Sequence, residues 1–458
     1  MILEKIVSAG LAHNSYIVIS GGSAAVIDPR RDCSIYLSIA GSHDARITHI
    51  FETHRNEDYV IGSAELAARC GAEIFHGSRM DFSYGNPVHE GDRFEAGDLD
   101  LLVLETPGHT MESISIVVTD RAVSSTPYLV FTGDALFAGD AGRTDLYGPE
   151  KRAEVSGLLH ESLYTRILPL GDGVIVCPAH GAGSVCGSEI SDHEYTTIGY
   201  EKKTNPLLQM GRDAFISHKV HEHHYVPPYF RKMEELNQNG APLICRLPDL
   251  KALGNGEVKE FAGKGAQIVD IRSPTSFGGG HIPGSVSIWR DGLSAFIGWI
   301  LTYDDPIILV DDFNLGLDEI SRFFIRMGYD NIHGYLSGGF PAWFRGAEES
   351  ASLDLWTVPK LEETLPDDSL FLLDVRDINN RRKFGHIRDS VHIYVGELPE
   401  RMDDVPRDRQ VVVYCDAGYK GSLGASLLKK AGYGQVGNLL GGMGAWIRAG
   451  YPVEKIRA

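Results

Sequence analysis

Four apolar runs in the first half of the chain each stop at a residue type that binds metal ions. Ile47-Thr48-His49-Ile50-Phe51-Glu52-Thr53 leads to His54, and Leu101-Leu102-Val103-Leu104-Glu105-Thr106-Pro107-Gly108 leads to His109. Tyr128-Leu129-Val130-Phe131-Thr132-Gly133 leads to Asp134, and Val174-Ile175-Val176-Cys177-Pro178-Ala179 leads to His180. Short β-branched runs closed by Gly or Pro read as buried strands, so each polar residue falls in the loop just past a strand end. One histidine beside an apolar strand is more often a satisfied core or surface residue. Four such loops in series, on one edge of a sheet, predict convergence on a single ion.

With 458 residues the chain is too long for one average domain. Its 43 basic and 62 acidic residues give a formal charge of −19, which repels phosphate backbones and anionic lipid, so neither nucleic acid nor a membrane surface is an expected partner. Met1-Ile2-Leu3-Glu4-Lys5 carries charge and no sustained apolar core, unlike a signal peptide. No run has the length of a membrane span. The six cysteines (Cys33, Cys70, Cys177, Cys186, Cys245, Cys415) form no CxxC pair, which suits a reducing cytoplasm. Five of them read as small buried hydrophobes, and Cys415 is the exception.

Along the chain, residues 16–29 read as two strands around Gly21-Gly22, and Asp58 to Cys70 as an amphipathic helix stopped by Gly71. Strands and helices alternate to about residue 215. Val220-His221-Glu222-His223-His224-Tyr225-Val226-Pro227-Pro228 breaks the pattern and reads as a polar, partly exposed connector. Beyond residue 245 the chain repeats. Val269-Asp270-Ile271-Arg272 and Gly280-His281-Ile282 are answered by Leu373-Asp374-Val375-Arg376 and Gly385-His386-Ile387. Gly338-Gly339-Phe340-Pro341-Ala342-Trp343 is answered by Gly441-Gly442-Met443-Gly444-Ala445-Trp446. Two copies of a strand-helix alternation predict two small α/β domains, and three domains in all: 1–240, 246–350 and 351–458.

The segments Thr53-His54-Arg55-Asn56-Glu57-Asp58-Tyr59, Thr106-Pro107-Gly108-His109-Thr110, Thr132-Gly133-Asp134 and Cys177-Pro178-Ala179-His180-Gly181 resemble, in order and spacing, the ligand motifs of the metallo-β-lactamase fold. The resemblance implies an αββα sandwich over residues 1–240. Gly139-Asp140-Ala141-Gly142-Arg143-Thr144-Asp145, the run His180 to Gly187, and Thr197-Ile198-Gly199-Tyr200-Glu201 with Thr204-Asn205-Pro206 are similar to the persulfide dioxygenase branch. The superfamily motif is HxHxDH, and here Asn56 and Tyr59 stand where its second and last histidines would be. A two-zinc hydrolase needs the full set of ligands. What remains, His54, His109 and Asp134, is a two-histidine, one-carboxylate set suited to one Fe(II), with zinc as a possible substitute. In the branch it resembles, the matching residues hold the iron. Asp58, Tyr59 and His180 then stand beside the ligands or the substrate, and Arg143, Lys202 and Lys203 are candidates to bind an acidic carrier thiol. The resemblance implies oxidation of a low-molecular-weight thiol persulfide by O2 to sulfite and the thiol.

Val411-Val412-Val413-Tyr414 reads as a buried strand ending at Cys415, with a helix after Asp416-Ala417-Gly418-Tyr419-Lys420-Gly421-Ser422. A cysteine between a strand and a helix start faces several backbone N–H groups, which predicts a stabilised thiolate able to carry sulfane sulfur. With Arg376 and Gly385-His386-Ile387 this loop resembles the rhodanese loop CxxGxR, Lys420 standing for its arginine. Aligning the repeats puts Asp311 opposite Cys415, so residues 246–350 read as an inactive copy. The expectation is a cytoplasmic, homo-oligomeric fusion that makes sulfite and passes sulfur on to give thiosulfate. A glyoxalase II-type zinc thioester hydrolase and a non-catalytic sulfur-binding scaffold are the alternatives.

Overall fold

The computed structural model describes residues 1–187, 189–365 and 369–455. The chain divides into two compact units, Met1–Leu247 with Ile325–Gly328, and Pro248–Phe324 with Tyr329–Ala458. In the first, two six-stranded sheets face each other. One runs in sequence order from Ile2–Ser8 to Asn86–Val88, and opens with the predicted hairpin, His13–Ser20 and Ser23–Ile27, around Gly21-Gly22. The other runs from Arg93–Ala96 back to Thr196–Thr197. Their inner faces interdigitate through Tyr16, Val18, Phe51 and Phe75 on one side and Val103, Ile116, Leu129 and Phe131 on the other. Each such side chain, fully removed from water, contributes roughly 1.5–3 kcal/mol. The outer faces are covered by helices: Tyr36 and Leu66 pack with Ile17 and Ile50, and Leu159 and Phe215 pack with Val117 and Val130. This is the αββα sandwich.

The second unit carries two five-stranded sheets. The strands Lys251–Leu253, Gln267–Asp270, Val286–Ser287, Ile307–Val310 and Ile332–Leu336 pair in the spatial order first, fifth, fourth, second, third. The strands Asp354–Trp356, Leu370–Asp374, Val391–His392, Gln410–Tyr414 and Val436–Leu439 pair in the same order. Every pairing is parallel, and helices on the faces explain why the central strands Ile307–Val310 and Val411–Tyr414 are apolar at nearly every position. The sequence repeat is therefore a repeat of topology.

Two expectations are corrected. The ligand loops do not leave one edge of a single sheet: His54 follows Arg46–Glu52 in the first sheet, whereas His109, Asp134 and His180 follow strands of the second. Packing the two sheets face to face brings those strand ends together. The helix expected from Asp58 is only Ser63–Cys70, ending at Gly71 as foreseen, because residues 56–61 are tied elsewhere. The tie is Asn237 in the helix Phe230–Asn239: its Nδ2 donates to the carbonyls of Asn56 (2.6 Å) and Tyr59 (2.8 Å), and its Oδ1 accepts from the Ile61 amide (2.9 Å). The stretch from 220 is, as expected, a polar and partly exposed connector, running from the end of the helix Arg212–His221 to the helix Phe230–Asn239. His224 there is half-buried and 3.0 Å from Glu222, whose carboxylate also holds the buried Lys219.

Candidate functional site

His54 and His109 are both oriented through Nδ1. Thr53 donates its hydroxyl to Asp28 Oδ2 (2.7 Å), which leaves its oxygen to accept from His54 Nδ1 (3.0 Å). His109 Nδ1 lies 3.0 Å from the Arg143 carbonyl, an acceptor only, so it carries the proton. Both Nε2 atoms are thereby left as bare acceptors, buried and without a partner. They converge on Asp134 Oδ2, at 3.7 Å from His54 and 3.5 Å from His109. Burial pushes His54 down to about 4, which keeps it a neutral ligand. Burial alone would raise Asp134, but His180, His54 and His109 hold it well below the usual carboxylate range. Gly142 closes the site from behind, where a Cβ would lie 2.1 Å from the Asp134 carbonyl. Two orphaned imidazole nitrogens and an ionised carboxylate, all inside the protein, fit a divalent metal ion.

His180 sits between two carboxylates, Nδ1 at 2.7 Å from Asp134 Oδ1 and Nε2 at 3.0 Å from Asp58 Oδ2. Burial opposes its charge, yet Asp134 and Asp58 raise it well above the usual histidine value. Its Nδ1 also lies 3.0 Å from Asp134 Oδ2, so it holds both oxygens of that carboxylate. Tyr59 is fully buried with its ring 3.9 Å from that of His13, and its hydroxyl has no partner. Asn56 Nδ2 donates to the His54 carbonyl (3.2 Å), while its Oδ1 is buried without a hydrogen-bond partner. Arg143 is not available to an anion: its guanidinium binds both oxygens of Asp145 and reaches the carbonyls of Val185 and Tyr225. Lys202 lies at the surface, 2.7 Å from Asp172.

Two residues escaped the sequence reading. Glu57 directs Oε2 to within 3.7 Å of His109 Nε2. Cys186, read as a buried hydrophobe, instead groups with Asp58 and His180, and with His109 and Asp134, in donor sets no wider than 4.8 Å. Burial holds its thiol well above the ordinary range. Cys245 departs from the buried expectation in the other direction, being exposed. A charged residue in a spacer position of a ligand loop was the available signal for Glu57. Nothing in the spacing marked Cys186.

In the second repeat the strand Gln410–Tyr414 delivers Cys415 to the start of the helix Tyr419–Lys430. Its Sγ accepts from the Gly418 amide at 3.1 Å. Its carbonyl accepts from Met443 at 2.7 Å, and a Cβ on Gly442 would strike that carbonyl at 2.1 Å. The expected thiolate is not favoured outright. Burial pushes the thiol up, and Lys420 with the amides of Gly421, Ala417 and Gly418 only partly offsets it. Lys420 Nζ lies 3.1 Å from Asp416.

Asp311 occupies the equivalent place in the first repeat, its carbonyl accepting from Phe340 at 2.8 Å as that of Cys415 does from Met443. Six residues, 311–316, separate strand from helix there, against four, 415–418, in the second. Arg376 grips Asp374 through Nε (2.9 Å) and Nη2 (2.7 Å) and donates to the Gly385 carbonyl (2.7 Å). Arg272 makes the same three contacts with Asp270 and Gly280. An arrangement shared by a copy without the cysteine holds the fold, so Arg376 acts as a clamp behind the loop.

The pattern of the Metallo-beta-lactamase superfamily matches residues 9–180, and that of the Rhodanese-like domain matches residues 255–345 and again 357–449. A crystal structure of a metallo-beta-lactamase from Staphylococcus aureus is similar at 30% identity and a TM-score of 0.66, over 74% of this chain and 99% of that one. A sulfurtransferase of Allochromatium vinosum is 36% identical over 94 residues, 20% of this chain and 87% of its own. Hydroxyacylglutathione hydrolase GloC of Haemophilus influenzae is 28% identical over 208 residues, 41% of this chain and 87% of its own. With the sandwich, its buried donor set and the duplicated parallel sheets in hand, the chain belongs to the metallo-beta-lactamase superfamily, as a member whose sequence continues into two rhodanese-like domains.

Proposed function

We propose that the sandwich domain oxidises a low-molecular-weight thiol persulfide with O2 and water to sulfite and the thiol, on one Fe(II) held by His54, His109 and Asp134. Cys415 then moves sulfane sulfur between a persulfide and sulfite, giving thiosulfate. The observation that carries this reading is the donor set: two bare imidazole nitrogens face one carboxylate oxygen, while Asn56 and Tyr59 stand where a second ion would need imidazoles. Fe(II) held by these residues would supply redox chemistry and positions open to persulfide sulfur and dioxygen. The chain's own groups prepare that face. Thr53 and the Arg143 carbonyl fix the two tautomers, and His180 holds Asp134 ionised.

At the second site the Cys415 sulfur attacks the outer sulfur of a persulfide, forming an S–S bond as the carrier thiol leaves. Sulfite then takes that outer sulfur and frees Cys415. The Gly418 amide and Lys420 steady the anionic sulfur. With Asp311 in place of a nucleophile, residues 246–350 act as an inactive copy between the dioxygenase domain, 1–240, and the active one, 351–458. Action in the cytoplasm, as a homo-oligomer, belongs to the same reading. Among the described residues no helix is long and apolar enough to cross a membrane.

The Haemophilus relative's name favours one rival, a zinc thioester hydrolase. Metal content of anaerobically purified protein, paired with O2 uptake on adding a thiol persulfide, separates the two. The expected result is about one iron per chain, uptake abolished by His109→Ala, and uptake retained but thiosulfate lost with Cys415→Ser. Two zincs with thioester hydrolysis and no uptake would overturn the proposal in favour of the hydrolase, and no metal at all would leave only the sulfurtransferase.

A further inference from the structure

Glu57 is buried to 1% exposure in the loop that carries His54. Its Oε1 is held by the Arg55 guanidinium at 3.3 Å, which turns Oε2 toward the metal centre. Oε2 has no hydrogen-bond partner, and His109 Nε2, at 3.7 Å, lies beyond hydrogen-bond reach. His54 Nε2 and His109 Nε2 are unpartnered as well, and the three atoms fall within 4.8 Å of one another. A desolvated carboxylate oxygen left unpaired among bare lone pairs is strongly unfavourable unless a cation joins them. Asn56, at the motif's second histidine position, is turned back onto the His54 carbonyl.

Resting on the metal-centre reading above, we propose that Glu57 is a fourth protein ligand of the ion, its Oε2 taking the place of the imidazole missing at position 56. Two carboxylates and two neutral imidazoles balance a dication's charge.

The test is anaerobic titration of the full-length apoprotein with Co(II) against a chromophoric chelator, recording the visible bands, whose energy and intensity follow the number of ligands. Glu57→Gln is expected to bind Co(II) about 10- to 100-fold more weakly and with altered bands, and Glu57→Asp, one methylene shorter, to fall between. Weaker binding with unchanged bands would mean action at a distance and would overturn the proposal, as would wild-type affinity in both variants. If Glu57→Gln does not fold, the spectrum of Glu57→Asp decides alone. Failure of the wild-type protein to bind Co(II) would remove the metal centre altogether, whereas tight wild-type binding with indifferent Glu57 variants would remove only this ligand.

Discussion

Asn237 is the residue whose loss should travel furthest from its own position. Asn237→Ala removes one acceptor and two donated hydrogen bonds, and leaves the carbonyls of Asn56 and Tyr59 and the amide of Ile61 buried without partners. An unpaired buried group costs about 1–3 kcal/mol, so three of them weaken the loop by roughly 3–9 kcal/mol, toward the lower figure where water enters. At 1.4 kcal/mol per tenfold, 3 kcal/mol is about a hundredfold in the opening equilibrium. Hydrogen exchange followed by mass spectrometry reads this directly. The amides of residues 54–62 are expected to exchange about a hundredfold faster, and metal affinity to fall with them because His54 shares the segment. Asn237→Asp keeps the acceptor for Ile61 while setting a carboxylate against two carbonyls, so it should be nearly as damaging. Unchanged protection over residues 54–62 would refute the view that this helix holds the ligand loop.

The remaining predictions concern the repeats. All five tryptophans, Trp289, Trp299, Trp343, Trp356 and Trp446, lie in the second unit, so tryptophan fluorescence reports its unfolding alone. His281 there is buried against Phe277, and burial lowers its pKa from 6.5 to about 4. Since the unfolded chain takes up the proton first, stability is full above 6.5 and is lost as pH falls toward 4, by up to about 3 kcal/mol; His281→Gln should flatten that slope in urea melts, and an equal slope would refute the assignment. Gly442→Ala sets a Cβ against the Cys415 carbonyl at a positive φ of 51°, so thiosulfate formation should collapse while O2 uptake persists; normal sulfur transfer would show that the loop tolerates the shift.

The placement of His54, His109 and Asp134 just past strand ends was legible because apolar runs and the chain breaks that close them are local properties. Which sheet each strand joins is not local, and the single-edge picture failed there. The connector from 220 was legible as polar and partly exposed, but the pairing of Glu222 with Lys219 and His224 is a contact that no spacing reveals. The helix expected from Asp58 is shortened by Asn237, far along the chain. Cys415 was legible from a strand running into a loop and helix, but its thiolate character was overestimated, since proximity to amides is visible in the sequence and depth of burial is not. The duplicated domain was the most legible element, as a repeat carries its topology with it.

The paired clamps, Arg272 on Asp270 and Arg376 on Asp374, give this chain an internal control that single-copy enzymes lack. Arg272→Lys measures what loss of the planar fork does to such a scaffold when no reacting sulfur is present. Arg376→Lys measures the same loss in the copy that carries Cys415. Subtracting one effect from the other, within one polypeptide and one solution, isolates what the clamp gives to sulfur transfer from what it gives to folding.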